Sequence, residues 1–151
     1  MPAMANITFN VALGRAASLA ALPAASDALI LIPLEAGGLE ADSVLRDKDT
    51  LADVVSGTTN EQTTVGRKTL SGVTVAVNDT ADRVEIDAAD VTWTSPTGNA
   101  VGAMVICYDP DGTGGTDADL IPVTKADVTW SPDGTTFTLT VADFFRASST
   151  S

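Results

Sequence analysis

The sequence predicts a mainly β, single-domain protein: an antiparallel β-sandwich or barrel with one or two short helices and an N-terminal arm. Three observations carry that expectation. Thr, Val and Ile together number 42 of the 151 residues (21, 15 and 6), and all three suit a pleated backbone. Aspartate outnumbers glutamate 16 to 4, and Asp beside Gly and Pro marks turns, where its carboxylate bonds the backbone two residues on. The straight-chain helix formers Lys, Glu, Gln and Met are scarce. A chain of this length suits one domain and buries roughly 70% of its unfolded surface, so its core needs no disulfide.

The elements follow in order. Ile7, Phe9 and Val11 alternate with polar residues, as in an edge or arm strand. Residues 12–22 place Leu13, Ala16, Ala17, Ala20 and Ala21 at helical spacing, and Pro23 stops that helix. The run 28–34 is continuously apolar and reads as a buried strand with Pro33 near its end. Asp49 and Thr50 signal the start of a short helix whose Leu51, Val54 and Val55 share a face, with Gly57 just beyond.

From Glu61 onward the pattern is β. Residues 63–70, 73–78 and 83–87 are short strand-like runs separated by turns, and Val73, Val75 and Val77 alternate as in a half-buried strand. The run 101–108 is the most apolar and central in its sheet. Residues 120–124, 128–130 and 135–141 complete the set, with Phe137, Leu139 and Val141 on one side of the last. These patterns divide the chain into an arm or edge strand (1–11), a β-rich domain (12–147) and a flexible tail (148–151). One echo stands out: ADVTWTSPTG at 89–98 and ADVTWSPDG at 126–134. Two copies are too few for a solenoid or propeller. They read as two similar strand–turn units whose Trp93 and Trp130 pack in the core or at its rim, with sugar stacking as the alternative.

Charge and missing residues narrow the function. A net charge of −12 opposes binding to nucleic acid or to an anionic membrane, both of which need clustered Lys and Arg. It favours solubility and a basic partner or a cation. With no histidine there is no imidazole base, no Ser–His–Asp triad and no His-based zinc site. Cys107 is the single cysteine. It lies in an apolar run with no cation near in sequence, so it reads as a buried thiol. The N-terminus lacks a signal-peptide pattern, and Pro23, Asp27 and Pro33 interrupt the least polar stretch, so the sequence predicts a soluble protein made in a reducing compartment.

The loop 109–119 (DPDGTGGTDAD) is the sharpest candidate site. Asp109, Asp111, Asp117 and Asp119 sit among three glycines between two apolar runs, and calcium takes six to eight hard oxygens of this kind. The start resembles an EF-hand loop, but its twelfth position is Leu120 rather than Glu, and flanking helices are missing. The alternative is a solvated hairpin tip. Asn78–Asp82 lacks the Gly and the second copy of an aspartic-protease turn, no phosphate-binding glycine pattern occurs, and 16 aspartates make chance carboxylate pairs inevitable. The chain therefore reads as no enzyme. Gly66-Arg67-Lys68, the basic cluster, is either a salt-bridge anchor or a contact to an acidic neighbour.

A linear series of short motifs resembles a family of small virion proteins of tailed bacteriophages, especially those of actinobacteria. It runs through Ala12-Leu13-Gly14-Arg15, the 28–34 strand with Gly38-Leu39-Glu40-Ala41-Asp42, Leu45-Arg46-Asp47, Asp49-Thr50-Leu51 and Gly66-Arg67-Lys68-Thr69-Leu70. It continues through Asp90-Val91-Thr92-Trp93, Cys107-Tyr108-Asp109, Gly115-Thr116-Asp117, Ile121-Pro122 and the ending Asp143-Phe144-Phe145-Arg146-Ala147. Two positions depart from the family pattern: Val65-Gly66 replaces an aromatic residue before the arginine, and Asp143 replaces glycine before the phenylalanines. The resemblance implies a non-enzymatic structural protein on the capsid surface of the virion, made in the host cytoplasm. It implies a decoration or minor capsid role that binds the major capsid protein, self-associates as a trimer or hexamer and stabilises the shell, with a tail or head–tail station as the alternative. No cofactor is expected on that reading, and a calcium- or glycan-binding β module is the other class. Ile7, Phe9, Val11, Phe144 and Phe145, apolar residues near polar ends, are the expected contacts to neighbours.

Overall fold

A computed structural model of the chain describes residues 7–142 and 144–149. Residues 1–6 of the expected arm, Asp143 of the last motif and residues 150–151 of the expected tail lie outside the described residues.

The protein is mainly β, with three short helices and antiparallel sheets consistent with a single-domain β-sandwich. Its centre is a five-stranded antiparallel sheet. That sheet comprises, from edge to edge, β1 (Ile7–Thr8), β8 (Ile121–Trp130), β7 (Val101–Asp109), β2 (Ala28–Glu35) and β3 (Lys68–Thr69). A three-stranded sheet is formed by β10 (Phe145–Ser148), β5 (Arg83–Asp87) and β4 (Thr74–Asn78). A two-stranded ribbon pairs β6 (Val91–Trp93) with β9 (Phe137–Leu139). The helices are α1 (Ala16–Ala20), α2 (Asp42–Leu45) and α3 (Leu51–Val54).

The continuous apolar runs of β2 and β7 have a direct cause: their sheet is covered on both faces, so both sides of the pleat are buried. Leu29 and Leu31 of β2 join Met104, Ile106 and Tyr108 of β7 in one cluster, which includes α1, Ile86, Trp93, Leu139, Phe144 and Phe145. The alternate residues Ile32, Leu34, Ala103, Val105 and Cys107 face a second cluster with Phe9, Leu45 of α2, and Leu51 and Val54 of α3. The β7–β8 register shifts between Val101 and Ala103 and again between Ile106 and Cys107. At the first shift, Val101 packs with the first cluster and Ala103 with the second. Gly102 fits between them because a Cβ there would stand 2.7 Å from Ala36 Cα.

Thr50 starts α3 as expected: its hydroxyl accepts a hydrogen bond from the Asp53 amide at 3.1 Å. Other expectations are corrected. The helix expected over 12–22 is a 3-10 turn at Asn10–Ala12 followed by the five-residue α1. Gly14 weakens continuity, and Leu22 leaves the helix at φ 53 before Pro23. Leu13 is 60% exposed rather than core-facing. Of 63–70, only Lys68–Thr69 is strand, because Gln62 folds 63–65 back as a turn, its Oε1 accepting from the Thr64 amide at 2.9 Å. Residues 120–124 and 128–130 belong to one strand, β8, apart from Leu120. Residues 42–45 form an unexpected helix. The 73–78 run is not half-buried: Val75 is 38% and Val77 73% exposed.

Candidate functional site

The acidic loop is built as a set of locally closed turns. Asp109 Oδ1 accepts from the Asp111 amide at 3.0 Å. Asp111 Oδ1 accepts from the Thr113 amide and hydroxyl at 3.1 and 2.6 Å, and those bonds hold its carboxyl below the usual range. Asp119 Oδ2 accepts from the Thr116 amide and hydroxyl at 2.8 and 3.0 Å. Asp117 turns instead toward Arg67. The four carboxylates do not form one ligand set, and among the described residues no group of three or more His, Cys, Asp or Glu side chains could hold a metal ion.

Arg67 is the organising cation. Its Nε and Nη2 donate to the two Glu61 oxygens at 2.6 Å each. Its Nη1 and Nη2 donate to the two Asp117 oxygens at 2.9 and 3.0 Å. These bonds occupy four of the five guanidinium N–H groups. Its hydrogen bonds to Glu61 and then to Asp117 raise its pKa further, against the cost of partial burial. The small hollow beside it, about 100 Å³, is bounded by Asp109, the 114–117 segment and Leu120. With its donors engaged, this fork acts as a cross-link between the 61–67 turn and the acidic loop. The salt-bridge reading of the basic cluster therefore holds for Arg67, while Lys68 lies 6.0 Å from the Trp93 ring centroid.

The two sequence echoes meet in space. Trp93 and Trp130 are 2% and 8% exposed, with ring centroids 5.5 Å apart. Phe137 stacks on Trp130 at 4.0 Å. The turns after them touch as well: Gly134 donates its amide to the Pro96 carbonyl at 2.8 Å, and Thr97 bridges Asp133. The indoles thus serve the core, as the packing reading expects, and present no open stacking platform.

The expected contact residues pack within the chain to different degrees. Ile7 pairs with Lys125 of the chain's own β8, Val11 is half-buried against the second cluster, and Phe9 and Phe144 are fully buried. Phe145 is 8% exposed and pairs with Ile86. Nearness to a chain end suggests exposure; here Phe9, Phe144 and Phe145 are drawn into the core. Ser148 is in β10 and the Ser149 amide bonds the Asp82 carbonyl at 2.9 Å, so the structured domain runs past residue 147.

Sequence reasoning missed Lys125. Its side chain is 3% exposed, and Nζ donates to Asp42 at 2.6 Å and to Asp127 at 2.5 Å. Burial lowers its pKa, but the bonds to Asp127 and Asp42 outweigh that and leave it raised. The legible signal was Asp127, two residues on and hence on the same face of a strand; Asp42 lies too far away in sequence. Comparison with protein-family models, curated proteins and solved structures finds no match.

Proposed function

We propose that this protein is a non-enzymatic structural component of a tailed-bacteriophage virion, a capsid decoration or minor capsid protein that binds the assembled shell and stabilises it. The reading rests on the sequence resemblance, and one observation supports it most. Motifs far apart in that series engage one another: Arg67 of Gly66-Arg67-Lys68 holds Asp117 of Gly115-Thr116-Asp117 through a bidentate pair. A run of short matches arising by chance has no reason to select residues that cross-link. An acidic, doubly covered β domain also suits many-copy docking, where weak contacts add by avidity and a protein binding only the assembled state shifts its equilibrium. The major capsid protein is the proposed partner, with a trimer or hexamer of this chain on the shell.

Co-sedimentation of the labelled protein with separately purified heads and tails tests the reading. Saturable, many-copy binding to heads is the expected result, and the stoichiometry gives the symmetry. Binding to tails alone moves the protein to the tail. Binding to neither overturns the virion assignment.

A further inference from the structure

The outermost strands of the three sheets are not equally protected. β1 and β3 are two residues long, β6 and β9 three, and β10 carries Arg146. β4 is the longest, at five residues, and its sequence TVAVN holds no charge and no proline. It pairs with β5 through five successive residues without a register shift. Among the described residues, no main-chain hydrogen bond joins 74–78 to anything beyond that pairing. Lys, Pro, bulges and shortness are the usual means of blunting an edge, and β4 has none of them.

On the face of this sheet that carries Val77 lies a hollow of about 250 Å³ spanning β4, β5 and β10. Val77, Val84, Ala147 and Ser149 line it, with Asp79, Asp82 and Arg83 at the turn end, where Arg83 is neutralised by Glu85. Val77 and Val84 are cross-strand partners, as are Val84 and Ala147, so they share one face of the sheet. Both aspartates are exposed, and among the described residues neither is in an ion pair.

We propose that the outer edge of β4 docks an extended segment of a partner protein, with apolar side chains at alternate positions and a Lys or Arg reaching Asp79 and Asp82. The edge supplies main-chain donors and acceptors, the exposed Val77 at the near side of the hollow packs against an apolar side chain, and the carboxylates take the cation. Charge decides between this partner and a second copy of the chain. A second copy brings a body of net charge −12, and its Arg83 is already held by Glu85. At this edge a basic strand is attracted by the field that opposes a copy, so copies on the shell meet through other faces. The inference stands apart from the virion reading, since it specifies the chemistry of the docked strand whichever protein carries it.

Selection of the full-length protein against a displayed library of random short peptides tests it. Enriched peptides should alternate apolar and polar residues and carry Lys or Arg. The tightest of them should slow amide exchange at 74–78. Val77→Gln, which melts like the parent, should weaken binding about tenfold, and Asp79→Asn with Asp82→Asn should abolish the preference for Lys and Arg while keeping the alternation. No enrichment, enrichment indifferent to Val77→Gln, or protection of 74–78 that rises with protein concentration and needs no peptide would overturn the proposal. The last result would identify a second copy as the occupant.

Discussion

β7 and β4 are built from similar material and meet opposite fates. Both are rich in valine and other small apolar residues, yet seven of the nine residues of β7 are buried and four of the five in β4 are exposed. The difference lies in what covers them. β7 has a strand on each side and a packed cluster on each face. β4 has one neighbouring strand, and the α1 helix that packs near it is only five residues long. Composition decides that a segment is extended; the lengths of distant elements decide whether it is buried.

The largest effect expected from that contrast is in the core. Phe144→Ala removes a fully buried ring and should cost about 3–5 kcal/mol by denaturant unfolding. A change below about 1 kcal/mol, as for a surface residue, would restore Phe144 to the role of an intermolecular contact.

The next effect concerns the shift in β7. A methyl group on Gly102 meets Ala36 Cα at 2.7 Å, and a backbone atom cannot turn aside as a side-chain tip can. Gly102→Ala should therefore cost about 1–3 kcal/mol, with slowed exchange lost first around Ala36, whose amide bonds the Ala100 carbonyl at 2.8 Å. An unchanged unfolding midpoint would mean that the central sheet yields at this point as freely as its periphery.

The central strand also carries the groups that set alkaline stability. Burial pushes the Cys107 thiol up from its ordinary 9.0, and burial and the bond to Asp27 raise Tyr108 above its ordinary 10.0. Above pH 9 the unfolded thiol loses its proton while the folded one keeps it, so the unfolded state binds fewer protons and stability falls as pH rises. The slope is about 1.4 kcal/mol per pH unit for one such group. Tyr108 adds to it above pH 10, and Lys125, also raised in the fold, adds above 10.5. Cys107→Ala should flatten the loss between pH 9 and 10, read from denaturant midpoints, whatever its effect at neutral pH. An unaltered slope would show that the thiol is not the group involved.

Legibility followed range. The 28–34 run, the 101–108 run and the Thr50 cap were readable because a continuous apolar run and a capping residue are local signals. Gly14 and Pro23 were visible too, but that they shorten α1 enough to leave Leu13 exposed depends on where the helix packs. The buried state of Phe9 and Phe144 was hidden for the same reason, and so was the pairing of Lys125 with Asp42, 83 residues away. In the acidic loop the residue types were legible as turn formers, which Asp109, Asp111 and Asp119 are. The partners of those carboxylates, Thr113, Thr116 and the distant Arg67, were not legible as such.

The smallest effect tests the exposed side of the comparison. Val77 is 73% exposed, so Val77→Thr keeps the β-branched shape and the strand preference while replacing a methyl that water already reaches. No cavity forms and no buried hydroxyl is left unpaired, the two routes by which such a change is costly in a core. The unfolding midpoint should move by less than about 0.5 kcal/mol. The same change at Val105, which is fully buried in β7, places a hydroxyl in the second apolar cluster opposite Ile32 and should cost about 1–3 kcal/mol. If the two substitutions cost the same, β4 is covered in solution by something that the isolated chain does not supply, and the protection of its amides against exchange would then locate that cover.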